Sequence, residues 1–347
     1  MAVVTINEVS TYDERIAWDR YVLNHPTASG YQLMGWQRVV EKSFGHRTVY
    51  LMARDRQDQV SGVLPLVFLS SRLFGRFLIS MPFVNYGGVL TDTFEAQGAL
   101  LDAAAGRAKD FGATHIELRH QRVLDLDWTS RQHKVSMRLD LAPEPDVLWR
   151  RFPSKLRSQI RRAQKESLTV RIEGSEILDD FYRVFARNMR DLGTPVYGRR
   201  FFRAIVEAFP KEARICVVYL GRQPVAAGFL YGFQNTLEIP WASSDRRHNR
   251  LSANMLLYSA ALEYACREGY QVFDFGRSTP GSGTYRFKEQ WGARPVPLYW
   301  YHWCADGRAV PDVSPENSRY GLAIKFWKRL PIALTRIIGP SIVRSIP

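Results

Sequence analysis

Apolar positions along the first half of the chain change period in a regular order. Leu33, Trp36, Val39, Val40 and Phe44 recur at helical spacing. Residues 49–53 and 60–69 then read as two strands around the polar turn 54–59. Residues 77–90 are strand-like, interrupted by Pro82 and by Gly87-Gly88. Residues 96–110 return to helical periodicity, Gly112 stops that helix, and 114–119 form a strand. The second half repeats this order: strands at 214–220 and 225–233 around a turn at 221–224, a third strand at 236–243, a helix at 252–267 stopped by Gly269, and a strand at 271–275.

The two halves overlay in part, which marks an internal repeat. Leu100, Ala104, Ala108 and Gly112 fall on Leu257, Ala261, Ala265 and Gly269 at an offset of 157 positions, and Ile116-Glu117-Leu118 then falls on Phe273-Asp274-Phe275. The hairpins align Gly62 with Gly228 at an offset of 166, so the first half carries an insertion, placed here at 70–79. Pro143, Pro145 and Pro153 mark the boundary. The expected organisation is a first domain at 1–143, a second at 144–303, and a basic amphipathic segment at 304–347.

Length and composition agree with two cores. The chain has 347 residues, 46% hydrophobic and 24% charged, the balance of a globular protein. Lysine and arginine outnumber aspartate and glutamate 48 to 34, a net charge of +14 that attracts polyanions without choosing among them. Two basic stretches concentrate that charge. A helix at 155–165 sets Leu156, Ile160 and Ala163 on one face and Lys155, Arg157, Arg161, Arg162 and Lys165 on the rest, either a solvated face or an RNA-binding one. The tail at 317–347 mixes Leu322, Phe326, Trp327, Ile337 and Ile338 with Lys325, Lys328, Arg329 and Arg336, and Pro331 breaks it. That mixture suits a membrane interface; the alternative is a helix that packs back on the core. No apolar run approaches the length of a membrane span and no leader is visible, so a cytoplasmic protein, peripheral at the inner membrane face through 317–347, is expected.

The cysteines, Cys216, Cys266 and Cys304, are far apart and lack CxxC spacing, which argues against a disulfide framework or structural zinc; Cys266 reads as core. The scattered histidines form no metal constellation, and neither GxSxG nor a kinase loop accompanies Asp274-Phe275-Gly276. Residues 276–282, GRSTPGS, miss the Lys-Ser/Thr pair of a phosphate-cradling loop. They still form a glycine-rich turn between a strand and a helix start, with backbone N–H groups at 282–284 able to face an anion. Arg277 flanks the turn, and Lys288 lies one helical turn in.

Several segments together carry a resemblance. They are Tyr31-Gln32 with Trp36, residues 81–88 (MPFVNYGG), 157–163 (RSQIRRA), 192–197 (LGTPVY) with 199–202 (RRFF), 254–269 with 273–278 (FDFGRS), and 285–292 (YRFKEQWG). In order and spacing they resemble the FemAB/FemX family of peptidoglycan-bridge aminoacyltransferases, and more narrowly the FemAB-related proteins associated with PEP-CTERM/exosortase systems. The resemblance implies an α/β fold with mixed sheets in two tandem GNAT-like domains. It implies transfer of an activated acyl or aminoacyl group to an amine on a cell-envelope or exopolysaccharide precursor. The co-substrate would be aminoacyl-tRNA or acyl-CoA, and the acceptor phosphorylated or lipid-linked.

The family's Phe-Lys pair falls on Phe287 and Lys288, the lysine stabilising negative charge during transfer, and its phosphate-contacting arginine falls on Arg199 or Arg200. Asp274, Glu238 and Asp245 are candidate proton acceptors, and Tyr197, Asn85, Tyr86, Trp241, Tyr285 and Arg277 candidate substrate contacts. Two departures stand out. Val40 occupies the place of a lysine that bridge-forming members carry, which argues against a peptidoglycan precursor. The pyrophosphate loop of ordinary GNAT enzymes is replaced by residues 247–253, RHNRLSA, which weakens CoA use. The rivals are a CoA-dependent N-acyltransferase and a non-catalytic membrane scaffold built on a degenerate GNAT pair.

Overall fold

The computed structural model describes residues 4–71, 75–305 and 321–346; the start of the basic tail at 317–320 and part of the expected insertion at 72–74 lie outside them. The chain forms two compact units, one of Met1–His133, Pro297–Ser314 and Arg344–Pro347, the other of Lys134–Val296 and Pro315–Val343.

Through the first unit run β1 (Thr5–Glu8), α1 (Tyr12–Asn24), α2 (Gly35–Phe44), β2 (Arg47–Arg54), β3 (Val60–Ser71), β4 (Gly75–Ile79), β5 (Leu90–Thr91), α3 (Phe94–Asp110) and β6 (His115–His120). Next come β7 (Thr129–Asp140), α4 (Pro145–Arg151), α5 (Ser154–Gln164), β8 (Leu168–Glu173), α6 (Leu178–Leu192), α7 (Arg199–Ala208), β9 (Ala213–Leu220), β10 (Gln223–Phe233) and β11 (Thr236–Ser244). The chain continues with α8 (Ala253–Arg267), β12 (Val272–Ser278), α9 (Gly283–Glu289), β13 (Arg294–Cys304), α10 (Gly321–Trp327) and α11 (Ile332–Val343).

The repeat is real. The first unit orders its strands β1-β2-β3-β4-β6-β13, with β5 on β3; the second orders them β7-β12-β11-β10-β9-β8. In each, three antiparallel strands lead to one parallel pair, β4 with β6 and β11 with β12, closed by an antiparallel partner. The helices α3 and α8 end in glycines of positive φ, Gly112 at 60° and Gly269 at 80°. The aligned glycines have the same job. A Cβ on Gly62 would meet Leu100 Cδ1 at 3.0 Å, and one on Gly228 would approach Leu257 Cδ1, at 3.8 Å. Each bare position lets the matching leucine settle on its hairpin.

Three expectations are corrected. The boundary placed at Pro143 falls at His133–Lys134 instead, because residues 134–140 of β7 complete the second unit's sheet. Conversely residues 297–303, assigned to the second half, belong with the first unit and run beside β6. The strand expected over 77–90 stops at Ile79. Pro82 cannot donate to a ladder, and Met81 and Phe83 take left-handed φ values of 57° and 73°, so residues 80–89 run as a buried irregular segment.

In the second unit α5 and α8 cover one sheet face with Leu156, Ile160, Ala163, Leu257, Ala261 and Ala265 over Val218, Ala226, Leu237 and Phe273. Cys266 lies in this core. Aromatic rings meet Trp241 of β11 on the opposite face: Phe201, Phe202, Phe229 and Tyr197 have centroids 5.2–6.4 Å from it. The basic tail docks on this unit. Arg190 donates to Leu330 O at 3.0 Å, and a Cβ on Gly339 of α11 would meet Val196 N at 2.9 Å.

Candidate functional site

The parallel pairing of β11 and β12 lasts three residues, Thr236 with Val272, Leu237 with Phe273 and Glu238 with Asp274, and then ends. Beyond it the β12 carbonyls of Gly276 and Arg277 accept from the amine of Lys288, each at 2.9 Å, rather than from β11. Helix α9 makes this reach possible. Ser282 caps it, its Oγ accepting from Tyr285 N at 3.2 Å, and Lys288 follows in the second turn.

A bulge brings further groups to the same face. Phe229 and Tyr231, two residues apart on β10, stand opposite Trp241 and Glu238, three apart on β11. Pro240 occupies the bulge, a position where its missing N–H costs no ladder bond. Glu238 and Trp241 therefore share a face, joined by Asp274, the lateral neighbour of Glu238.

Asp274 is fully buried and firmly held. Its Oδ1 accepts from the Ser136 hydroxyl and, at 2.8 Å, from Gly276 N; its Oδ2 accepts from Arg138 Nε at 3.1 Å. These bonds fix the turn at Gly276, whose φ is 74°, where β12 slips register against β7. Lys288 is only 7% exposed. Burial pushes its amine down to about 8; Asp274 and Glu238 oppose that shift and Arg277 adds to it. An ammonium has three donors, and the two carbonyls take two of them.

The other site candidates fall in several places. Phe287 packs in the core, its ring 5.1 Å from Tyr258 and 6.3 Å from Trp291. Tyr285 is half-buried against the same cluster. Arg199, at the start of α7, pairs with Asp179 at 2.5 Å, while Arg200 beside it is exposed. Tyr197 meets Trp241 edge-on and Phe201 at a tilt, so it shares the aromatic face. Asn85 and Tyr86 belong to the first unit, buried in the irregular segment, with Tyr86 edge-on to Tyr31 at 5.3 Å. Asp245 receives Arg247 through Nη2 at 2.6 Å and Nε at 3.0 and 3.1 Å, with Arg187 Nε at 3.4 Å. Burial would raise this carboxyl, but the bonds from Arg247 and the charge of Arg187 hold it below the ordinary range. The segment that replaces the pyrophosphate loop is thus partly tied up, and α8 starts from Ser252 at φ 53° with no side-chain cap.

Sequence reasoning missed Ser136 and Arg138. They lie on β7 and reach Asp274 across more than a hundred residues. Lys134 of the same strand donates to Thr279 Oγ1 at 2.7 Å and steadies the glycine-rich turn.

Residues 150–289 match the acetyltransferase (GNAT) domain family. Sequence comparison with curated proteins gives no match. Among solved structures, FemX superposes with a TM-score of 0.65 at 17% identity, over 85% of this chain and 97% of that one. A tandem GNAT protein from the clavulanic acid biosynthesis pathway gives 0.57 at 12% identity, over 88% and 100%. The L-PGS structure from Bacillus licheniformis gives 0.54 at 14% identity, over 95% and 97%. Residues 150–289 thus resemble a GNAT acetyltransferase domain, and the chain as a whole carries the tandem GNAT fold seen in FemX.

Proposed function

We propose that this chain is an N-acyl or aminoacyltransferase that moves an activated acyl group onto an amine of a cell-envelope or exopolysaccharide precursor. The observation that carries the reading is Lys288: a buried ammonium held by two carbonyls where β11 and β12 part, with one donor to spare. The acceptor amine attacks the donor carbonyl, a C–N bond forms, and the carbonyl oxygen becomes an oxyanion. Lys288 donates to that oxyanion; one well-placed donor contributes about 3 to 4 kcal/mol. Collapse breaks the C–O bond of a tRNA ester, or the C–S bond of a CoA thioester, and the leaving oxygen or sulfur takes a proton.

The amine must shed a proton as it attacks. Glu238 is the best placed of the three carboxylates to receive it. Glu238 is buried where the strands part, and its charge acts on the amine of Lys288. Asp274 then acts as a positioning residue for the turn that carries the two carbonyls. Trp241 and Tyr197 form an aromatic wall for the acceptor, with Tyr285, Arg277, Arg199 and Arg200 as further substrate contacts.

The ion-paired Arg247 favours an aminoacyl ester as donor over CoA. The acetyltransferase family match favours CoA as the second reading. The test offers aminoacyl-tRNA or acyl-CoA to the purified chain with a panel of amines and identifies products by mass spectrometry. Transfer from either donor supports the reading and selects the donor. Tight binding of donors without transfer from any of them would replace it with a scaffold.

A further inference from the structure

The two tail helices are built inside out. On α11 the inward positions are Thr335, Gly339 and Val343, spaced four apart, and the small ones let the helix press against the backbone of Val196. Ile324 and Trp327 do the same for α10; a Cβ on Gly193, whose φ is 83°, would meet Ile324 Cγ2 at 2.6 Å. Other large apolar residues face the other way. Leu322 is 81% exposed, Ile337 73% and Phe326 65%, with Leu334 also outward. Leu322 with Phe326, and Leu334 with Ile337, fall at i,i+4 and i,i+3, so each pair covers one helix face. A helix docked only for water would show the reverse pattern. Single exposed apolar residues need no explanation, but a clustered set on consecutive helices does.

Charge identifies what covers this face. Lys325, Lys328 and Arg329 are exposed on α10 and just after it, and no aspartate or glutamate occurs from Asn317 to Pro347. Exposed apolar side chains whose charged neighbours on the same helices are all cationic match the acyl–headgroup boundary of an anionic bilayer. No helix among the described residues is long and apolar enough to cross a membrane, so the contact lies in the interface plane. We infer that the outer face of α10 and α11 docks the chain on an anionic lipid surface. The inference rests on the tail alone and stands whether or not the chain transfers acyl groups.

The test is flotation of the full chain with vesicles of phosphatidylcholine, with and without phosphatidylglycerol. The chain should float with the anionic vesicles and only weakly with neutral ones. Phe326→Glu combined with Ile337→Glu should abolish flotation, and because both side chains are exposed the melting temperature should hold. Lys325→Gln, Lys328→Gln and Arg329→Gln together should weaken binding about a hundredfold, each cation near the surface contributing roughly fivefold. Absence of flotation, equal binding to both vesicle types, or binding that survives the double glutamate variant would overturn the inference. A dimer in light scattering that the double variant dissolves, without flotation, would overturn it in favour of a contact between copies.

Discussion

The two units place a buried acid at the same point of the same fold and surround it differently. In the first, Glu117 of β6 neighbours Ile79 of β4 and His302 of β13; in the second, Asp274 of β12 neighbours Glu238 of β11 and Arg138 of β7. Past Glu117 the first unit's seam is stitched shut. Ser80 N donates to Glu117 O, Ser80 Oγ accepts from Arg119 N, and the N–H groups of Gly87 and Gly88 both donate to Arg119 O. The loop that follows β6 is pinned by Tyr301, whose hydroxyl bonds both N and O of Leu124. Past Asp274 the second unit instead opens its carbonyls to Lys288 on α9. The repeat supplied two scaffolds; bonding in one serves closure, and in the other it holds an ammonium.

The largest effect should come from Lys288→Met. Acyl transfer should fall on the order of 100- to 1,000-fold, the cost of one lost oxyanion donor. Stability should not fall with it. The amine titrates near 8 when folded and near 10.5 as a free side chain, so the unfolded chain binds more protons between those values and stability rises with pH across them. A charged Lys288 at pH 7 is therefore a stability cost, offset by its two carbonyl bonds. A variant that keeps full turnover would remove the distinction between the units.

Glu117→Gln is the complementary change in the closed unit. Arg119 donates to Glu117 at 2.7 Å while stacked 4.5 Å over Trp300, and both partners are buried. Burial alone would raise the Glu117 carboxyl, but Arg119 and His302 hold it below the ordinary range. Removing its charge leaves a buried guanidinium uncompensated, costing about 3 kcal/mol or more in denaturant unfolding. Turnover per folded molecule should be unchanged. A selective loss of turnover at full stability would make the first unit part of the chemistry.

Acid should separate the units further. Burial pushes His120 down to about 3 and His302 to about 4; for His302, Glu117 opposes the shift, while Arg131, His115 and Arg119 add to it, and for His120 Arg122 adds to it. Both folded values lie below the free value of 6.5, so between 6.5 and about 4 the unfolded chain binds protons that the folded chain does not. Stability is present above 6.5 and is lost as pH falls, by about 1.4 kcal/mol per unit for each histidine. Hydrogen exchange at pH 5.5 should thus show β6 and β13 losing protection ahead of β9 to β12. Equal loss in both units would break the comparison.

Much of the repeat was legible because it is written in local pattern. Gly62 and Gly228, Leu100 and Leu257, and the stop glycines Gly112 and Gly269 occupy matched positions in matched elements. The closing strands were not legible. Most of β7 is exposed along its first half and β13 alternates weakly, so neither carries the apolar period that betrays a strand. Their exchange between units also puts the partners of Asp274 far away in sequence. Lys288 was ambiguous for another reason: lysine is mostly a surface residue, and only the carbonyls of Gly276 and Arg277 distinguish this one.

The smallest effects test the repeat itself, at the glycines under the matched leucines. A methyl at Gly62 would meet Thr91 Cγ2 at 2.7 Å and Leu90 O at 3.2 Å, a β-branched side chain and a backbone atom that yield little. At Gly228 the nearest atoms belong to Ile239, Cδ1 at 2.7 Å and Cγ1 at 3.4 Å, and the terminal methyl can rotate away. Overpacking costs about 1 to 3 kcal/mol, so Gly62→Ala should lie near the top of that range and Gly228→Ala near the bottom. Gly228→Ala also presses on the strand that carries Glu238, so any residual shift should appear as lower turnover as well as lower stability, whereas Gly62→Ala should change stability alone. Urea unfolding and turnover measured on both variants would check this. Equal costs would mean the two hairpins are seated alike despite their different neighbours, and a turnover loss in Gly62→Ala would tie the closed unit to the reaction.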